Sequence, residues 1–256
     1  MQDKQYTIKE LRAICQEDVG TKNSGQTFFG LANRLVSIYL TKFLLKTAVT
    51  PNWITIIGTV VYLFGIFFFV FGTWESALSG YILLIFAGIL DACDGEIARF
   101  RKIKGGRGAS FVEPISHDIM YALTFFPIAY GAFIQTGNPY VFIFGAAASI
   151  FKLLYRLSEA RYLHGILRSG AAIKNGMSPK PFKDRSFVTK TIYAIYRHTA
   201  TSTGILLPLL IAGLFERLDI YVIGYGVYFF LLWFALFTKH IYRFRKINQE
   251  EANEAI

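Results

Sequence analysis

Apolar residues along this chain gather into runs long enough to cross a hydrocarbon core, which at about 30 Å takes roughly 20 residues of helix. Six spans are expected, at about 52–73, 76–90, 115–134, 140–157, 203–215 and 220–237. The second and fifth are short as apolar runs. The second is tolerable only if its polar continuation beyond Leu90 is sheltered by neighbouring helices or water. Ahead of the first span the pattern changes to an amphipathic one: Phe29, Leu31, Leu35, Ile38, Tyr39, Phe43 and Leu44 recur at helical spacing, with Arg34, Lys42 and Lys46 off that stripe. This predicts a helix that lies on the membrane surface or packs on the protein's own cytosolic face. Thr50-Pro51-Asn52 breaks it before span one. Residues 165–184, with Ser178-Pro179-Lys180-Pro181, read as a loop. Residues 1–28 are polar and lack the apolar core of a secretory signal, and no internal repeat is evident.

The expected organisation is therefore a polar segment at 1–27, an amphipathic interfacial helix at 28–49, a six-helix membrane domain at 50–245 with a cytosolic loop at about 160–200, and a tail at 246–256. The basic residues test this without using hydropathy again. Every Lys and Arg except Arg217 falls on alternate connections or on the termini, so the positive-inside rule makes both termini cytoplasmic and turns the connections near Glu75, Asn138 and Glu216 outward. Composition agrees, since 54% hydrophobic and 17% charged residues in 256 exceed what one soluble core hides. The formal charge of +10 follows from topology, and nucleic acid is not an expected partner. Two cysteines, Cys15 and Cys93, make no disulfide framework.

The stretch Asp91-Ala-Cys-Asp94-Gly95-Glu96-Ile-Ala98-Arg99 runs straight out of the second apolar segment. Ionisable groups at that depth are costly and usually functional. On a continuing helix Asp91 and Asp94 share a face at i and i+3, Ala98 lies a turn further along, and Glu96 points elsewhere. Side by side, two carboxylates require a protonated partner, a basic residue or a divalent cation, and all-oxygen ligands suit Mg²⁺ or Mn²⁺ best. A structural ion pair with Arg99 or Arg101 is the plainer alternative. Gly95 and Ala98 leave a small-residue surface for close approach, and Gly88 with Ala92 suggests close helix packing. Beyond a basic loop, Pro114 suits the first turn of span three. Glu113 and His117 then share a face at i and i+4, with Asp118 about 100° further round. Together the two polar faces would complete a dinuclear site suited to phosphoryl transfer.

Asp91-x2-Asp94-Gly95-x2-Ala98-Arg99 resembles the first half of the signature of the CDP-alcohol phosphotransferase family, D-x2-D-G-x2-A-R-x8-G-x3-D-x3-D. Pro51-Asn52-x2-Thr55 is similar to another element of that family, as is an amphipathic helix ahead of it. The likeness runs from about residue 28 to 245. The second half departs: with a loop one residue longer and Ala109 in the glycine place, Glu113 stands for the third aspartate and His117 for the fourth. The resemblance implies two ions of Mg²⁺ or Mn²⁺ held by Asp91, Asp94 and Glu113, and Asn52, Thr55, Asp91, Gly95, Ala98 and Arg99 on the nucleotide side. His117 is then the base, a metal ligand, or a sign of lost activity, with Asp118 as the second choice of base.

The implied activity is metal-dependent transfer of a substituted phosphate from a CDP-linked alcohol, either CDP-diacylglycerol or a soluble one, to an acceptor hydroxyl with release of CMP. It would serve phospholipid or membrane-linked glycoconjugate synthesis. The implied setting is a bacterial inner membrane with the site facing the cytoplasm, a lipid partner substrate and a homodimer. A transporter using the Asp and His cluster as a cation or proton relay and a silent nucleotide-binding scaffold are the other classes considered. The relay would place its carboxylates near midplane. Lys102, Lys104 and Arg107 are explained by topology alone, and Gly105-Gly106 is too short for a phosphate loop. Arg156, Glu159 and Arg161 either line an acceptor pocket or end a solvated helix. His164, His198 and His240 have no ligand-like spacing.

Overall fold

Caps and breakers in the sequence divide the chain into helices, as a computed structural model that describes residues 6–20, 27–103, 109–169 and 186–254 shows. Within those residues all regular structure is helical: α1 (Ile8–Gly20), α2 (Phe28–Leu44), α3 (Pro51–Phe67) with a 3₁₀ turn at Phe68–Phe71, α4 (Trp74–Phe100), α5 (Ala109–Thr136), α6 (Tyr140–Ser169), α7 (Phe187–Ala200), α8 (Leu206–Leu214) and α9 (Leu218–Glu254). Thr50 caps α3 by accepting from the Trp53 amide, with Pro51 in the first turn where its missing N–H costs nothing. Thr73 caps α4 in the same way through the Ser76 amide. The Lys104 to Gly108 part of the basic loop and most of the expected loop at 165–184 lie outside the described residues. Gly165 to Ser169 are helical, ending α6.

Five helical stretches are long and apolar enough to cross a membrane: Pro51–Phe71, Trp74–Phe100, Phe111–Thr136, Tyr140–Ile166 and Leu218–Gln249. The chain is an integral membrane protein. The expected crossing at 203–215 is not among them. Thr201 is extended and ends α7, and the turn that follows is so tight that a Cβ on Gly204 would lie 2.3 Å from the Arg197 carbonyl oxygen. The nine residues of α8 that follow rise only about 14 Å. Two further expectations change. Pro114 stands inside α5, not in its first turn, because the helix already begins at Ala109. Lys152, counted above with the basic connections, is buried within α6 at 2% exposure. Its ammonium donates to the Ala200 carbonyl at 2.6 Å and sits over the rings of Tyr121, Tyr155, Tyr196 and Phe229, so hydrogen bonding and cation–π contact replace hydration.

The largest helix interfaces are α6 with α9, α3 with α4, and α5 with α6. Phe125 of α5 packs among Tyr221, Tyr225 and Phe229 of α9 at the centre. Small residues set the closest approaches. A Cβ on Gly131 would lie 2.0 Å from the Phe69 carbonyl oxygen, so α5 seats the 3₁₀ turn backbone to backbone. Toward the end of α6 the two helices α6 and α9 stay paired, with Tyr162 stacked on His240 at 3.9 Å and Ile166 against Ile247.

The amphipathic helix α2 follows neither of its two expected arrangements alone. Its polar stripe of Asn33, Ser37 and Thr41 is buried, while Phe28, Leu31, Leu35, Val36, Tyr39 and Phe43 are exposed. The polar side packs on α4 because Glu96 of α4, fully buried, accepts from Ser37 Oγ at 2.6 Å, Thr41 Oγ1 at 2.7 Å and Gln16 Nε2 of α1 at 2.7 Å. A buried carboxylate is stable only with its lone pairs filled in this way. Of the apolar side, Phe29 and Ile38 are buried in the protein and the rest is left for the bilayer.

Replacing Glu96 by Ala removes the acceptor that Gln16, Ser37 and Thr41 share and lowers the unfolding free energy by about 3 kcal/mol; denaturant unfolding in detergent measures it, and a change within error of zero removes the clasp from the account of stability. Gly131→Val forces α5 off the Phe69 carbonyl and costs at least about 2 kcal/mol in the same assay.

Candidate active site

The end of α4 carries the acidic pair into the bundle because the helix continues ten residues past Leu90 without a break, to Phe100. Asp91 and Asp94 lie on one side of it, as their spacing requires. Gly58 of α3 permits this, since a Cβ there would already touch Leu90 and Ala87. The start of α3 is therefore held against the acidic turn. Thr55, one turn from Asn52 on α3, reaches Asp94 Oδ2 with its hydroxyl at 2.5 Å. The Thr59 hydroxyl donates to the Thr55 carbonyl at 2.8 Å and steadies that turn.

His117 of α5 completes the group. Its Nε2 stands 3.6 Å from Asp91 Oδ1, and its ring lies nearly parallel to Tyr121 one turn on. Glu113, a turn before His117 on the same face, and Asp91 both act electrostatically on Asp94. The structure thus pairs Thr55 with Asp94 and His117 with Asp91 across three helices, with Glu113 near enough to Asp94 to act on its charge. A small cavity beside them is lined by Gly88, Asp91, His117, Ser202 and Thr203 among others, joining the acidic turn of α4 to the turn after α7.

Asp118 and Arg99 go elsewhere. Asp118 is ion-paired with Arg156 of α6, whose Nη2 also donates to the Pro114 carbonyl at 3.4 Å. Arg99 donates through Nε to the Cys15 carbonyl at 2.5 Å, and its guanidinium folds over Gly95, where a Cβ would meet it at 3.2 Å. Burial, then the neighbouring Glu96 charge, pushes the Cys15 thiol up to about 11, so it stays protonated and unreactive at neutral pH. Arg101 holds the linker before α3 through the Val49 and Thr47 carbonyls. Among the described residues neither arginine is ion-paired with Asp91 or Asp94, so the structural ion pair considered above is not formed.

Among the described residues no three His, Cys, Asp or Glu side chains are gathered as a formed metal cage. The donor chemistry still fits a divalent cation. Asp94 has a hydroxyl donor and two acidic neighbours, and no cationic side chain among the described residues pairs with it. That uncompensated charge is what a bound cation would neutralise. Sequence reasoning assigned no role to Glu96, Arg34, Arg197, Ser202 or Thr203. For Glu96 a signal existed, namely Asn33, Ser37 and Thr41 at i, i+4 and i+8 opposite the apolar stripe of α2. Arg197 lies 80 residues beyond His117, and no spacing rule connects the two.

Asp118 and Arg156 are each about one-third exposed, so their coupling is screened. Asp118→Asn and Arg156→Gln are expected to be non-additive in stability by about 1 kcal/mol. Additive effects in a double-mutant cycle would show that the two act separately.

The CDP-alcohol phosphatidyltransferase family model matches residues 48–238. The match takes in α3 to α6, α7, α8 and most of α9, and every residue named in the acidic site. The chain belongs to this family, which makes it a transferase of the CDP-alcohol class. No curated protein matches the sequence.

Proposed function

We propose that this member of the CDP-alcohol phosphatidyltransferase family transfers a substituted phosphate from a CDP-linked alcohol to an acceptor hydroxyl and releases CMP. The observation that carries the reading is the meeting of Asp91, Asp94, Thr55 and His117 at the end of a membrane helix, on residues at the family's signature positions. Asp91, Asp94 and Glu113 would hold Mg²⁺ or Mn²⁺, two ions in all, which neutralise charge on the pyrophosphate oxygens when bound. Thr55 fixes the orientation of Asp94 by its hydrogen bond. Asn52, Gly95 and Ala98 would meet the nucleotide, with the Arg99 guanidinium that covers Gly95 beside it.

In the reaction the acceptor oxygen forms a bond to the phosphorus that carries the alcohol substituent, and the P–O bond to CMP breaks. The electron pair leaves with CMP. The hydroxyl proton goes to His117, whose Nε2 faces Asp91. An imidazolium formed there is stabilised by the carboxylate, as in any base oriented by an acid. His117 is preferred over Asp118 because Asp118 is already engaged by Arg156. In this reading a sixth crossing through α7 and α8 puts both termini and the site on the cytoplasmic side of a bacterial inner membrane, where a lipid substrate enters laterally and a polar one from the cytosol.

The test is CMP release by the purified protein across a panel of CDP-linked donors and acceptors with Mg²⁺ or Mn²⁺. Asp91→Ala and Asp94→Asn are expected to lower it at least 100-fold. His117→Ala should cost about 10²- to 10⁴-fold, with part of the loss regained at high pH as the acceptor ionises unaided. Absence of metal-dependent release from every donor overturns the proposal.

A further inference from the structure

Beside the acidic group lies a second cluster of the opposite sign, outside the family's signature. Arg34 of α2 and Arg197 of α7 stand far apart in the sequence, yet Arg197 is among the charges that act on Arg34. Burial, and then the charges of Arg99 and Arg197, holds the Arg34 guanidinium below its usual range, against the pull of Glu96 and Asp91. Neither carboxylate is hydrogen-bonded to it. Glu96 is filled by Gln16, Ser37 and Thr41, and Asp91 faces His117. Arg197 Nη1 donates to the Tyr193 hydroxyl at 3.1 Å and its guanidinium lies over that ring, but among the described residues no carboxylate pairs with either arginine. Two half-buried guanidiniums so placed are costly to assemble, because arginine does not shed its proton.

Three donors among these residues are unused. Arg34 Nη1, Arg197 Nε and Asn33 Nδ2 are all buried and without a hydrogen-bond partner. Buried N–H groups are rarely orphaned, and each calls for an acceptor. Their placement points to one. Asn33 Nδ2 abuts Gly88, standing 2.3 Å from where a Cβ there would be. Gly88 in turn lines the cavity with Asp91, His117, Ser202 and Thr203. Arg197 closes α7 immediately before that Ser202-Thr203 turn, and Thr27 Oγ1, at the start of α2, donates to Thr203 Oγ1 at 2.8 Å. The start of α2, the end of α7 and the mouth of the acidic site are thus tied into one wall.

We propose that Arg34 and Arg197, aided by Asn33, form a subsite for a phosphate-class anion carried by a substrate next to the Asp91 and His117 pair. Guanidinium N–H groups meet phosphate oxygens in forked geometry, and a phosphate supplies enough acceptors for three separate donors. Naming its location as a substrate subsite rests on the transferase reading. The anion is either a phosphate of the CDP-linked donor or an anionic group on the acceptor.

The test uses the full-length protein in a phosphate-free maltoside detergent with EDTA, titrated with inorganic phosphate at constant ionic strength against chloride. The midpoint of thermal unfolding is followed. Phosphate is expected to raise it in the wild type. Arg34→Gln and Arg197→Gln should each weaken the apparent affinity at least tenfold, Arg34→Lys and Arg197→Lys less, and exposed Lys239→Gln not at all. The lysine variants keep the charge, so the comparison survives if a glutamine variant fails to fold. CMP is titrated on the same samples. Competition between CMP and phosphate assigns the subsite to the donor, and additive protection assigns it to the acceptor. Phosphate protection with no CMP binding supports the anion subsite while counting against the transferase reading. No protection by phosphate, or equal protection in all variants, overturns the subsite.

Discussion

A single buried carboxylate sets the geometry on which the rest of the molecule depends. Glu96 has no exposed surface and takes hydrogen bonds from both α1 and α2. An ionised group in that position is tolerable only when its partners are fixed. The two helices ahead of the membrane domain are thereby locked to the last turns of α4, within one helical turn of Asp94. Arg99 adds a second tie by binding the Cys15 carbonyl. The acidic pair thus sits at the mouth of a bundle whose polar lid is bolted to the same helix that carries the chemistry.

Charge is partitioned around that helix with little waste. One side of α4 presents Asp91 and Asp94 to α3 and α5, where Thr55 and His117 meet them. Another presents Glu96 to α1 and α2. Arg99 and Arg101 are spent on backbone carbonyls and Arg156 on Asp118, so none of the three pairs with Asp91 or Asp94. Asp94 is therefore left without a cationic side-chain partner among the described residues, as the proposed metal-dependent transfer requires.

Much of this was legible in the sequence, and the failures have physical causes. The long apolar runs gave five crossings because length and hydropathy are local properties, and the i, i+3 spacing of Asp91 and Asp94 survives in any helix. The segment at 203–215 does not stand as a long apolar helix of its own, and hydropathy does not register the break at Thr201, after which Gly204 packs tightly on the end of α7. Lys152 looked like a topology marker, since nothing local announces the ring of Tyr121, Tyr155, Tyr196 and Phe229 around it. Asp118 and Glu113 differ in the same manner. Both were plausible acids on α5, and only the arrival of Arg156 from α6 separates them.

The inverted burial of α2 also changes how this chain can vary. On an ordinary surface helix the apolar positions are held fixed and the polar ones drift. Here Leu31, Leu35, Val36 and Phe43 face outward and are exposed, so any residue of similar greasiness serves a fluid solvent equally well. Asn33, Ser37 and Thr41 are buried and specific. A substitution table that scores serine to alanine as mild and phenylalanine to leucine as severe would therefore rank the damage along this helix in the wrong order.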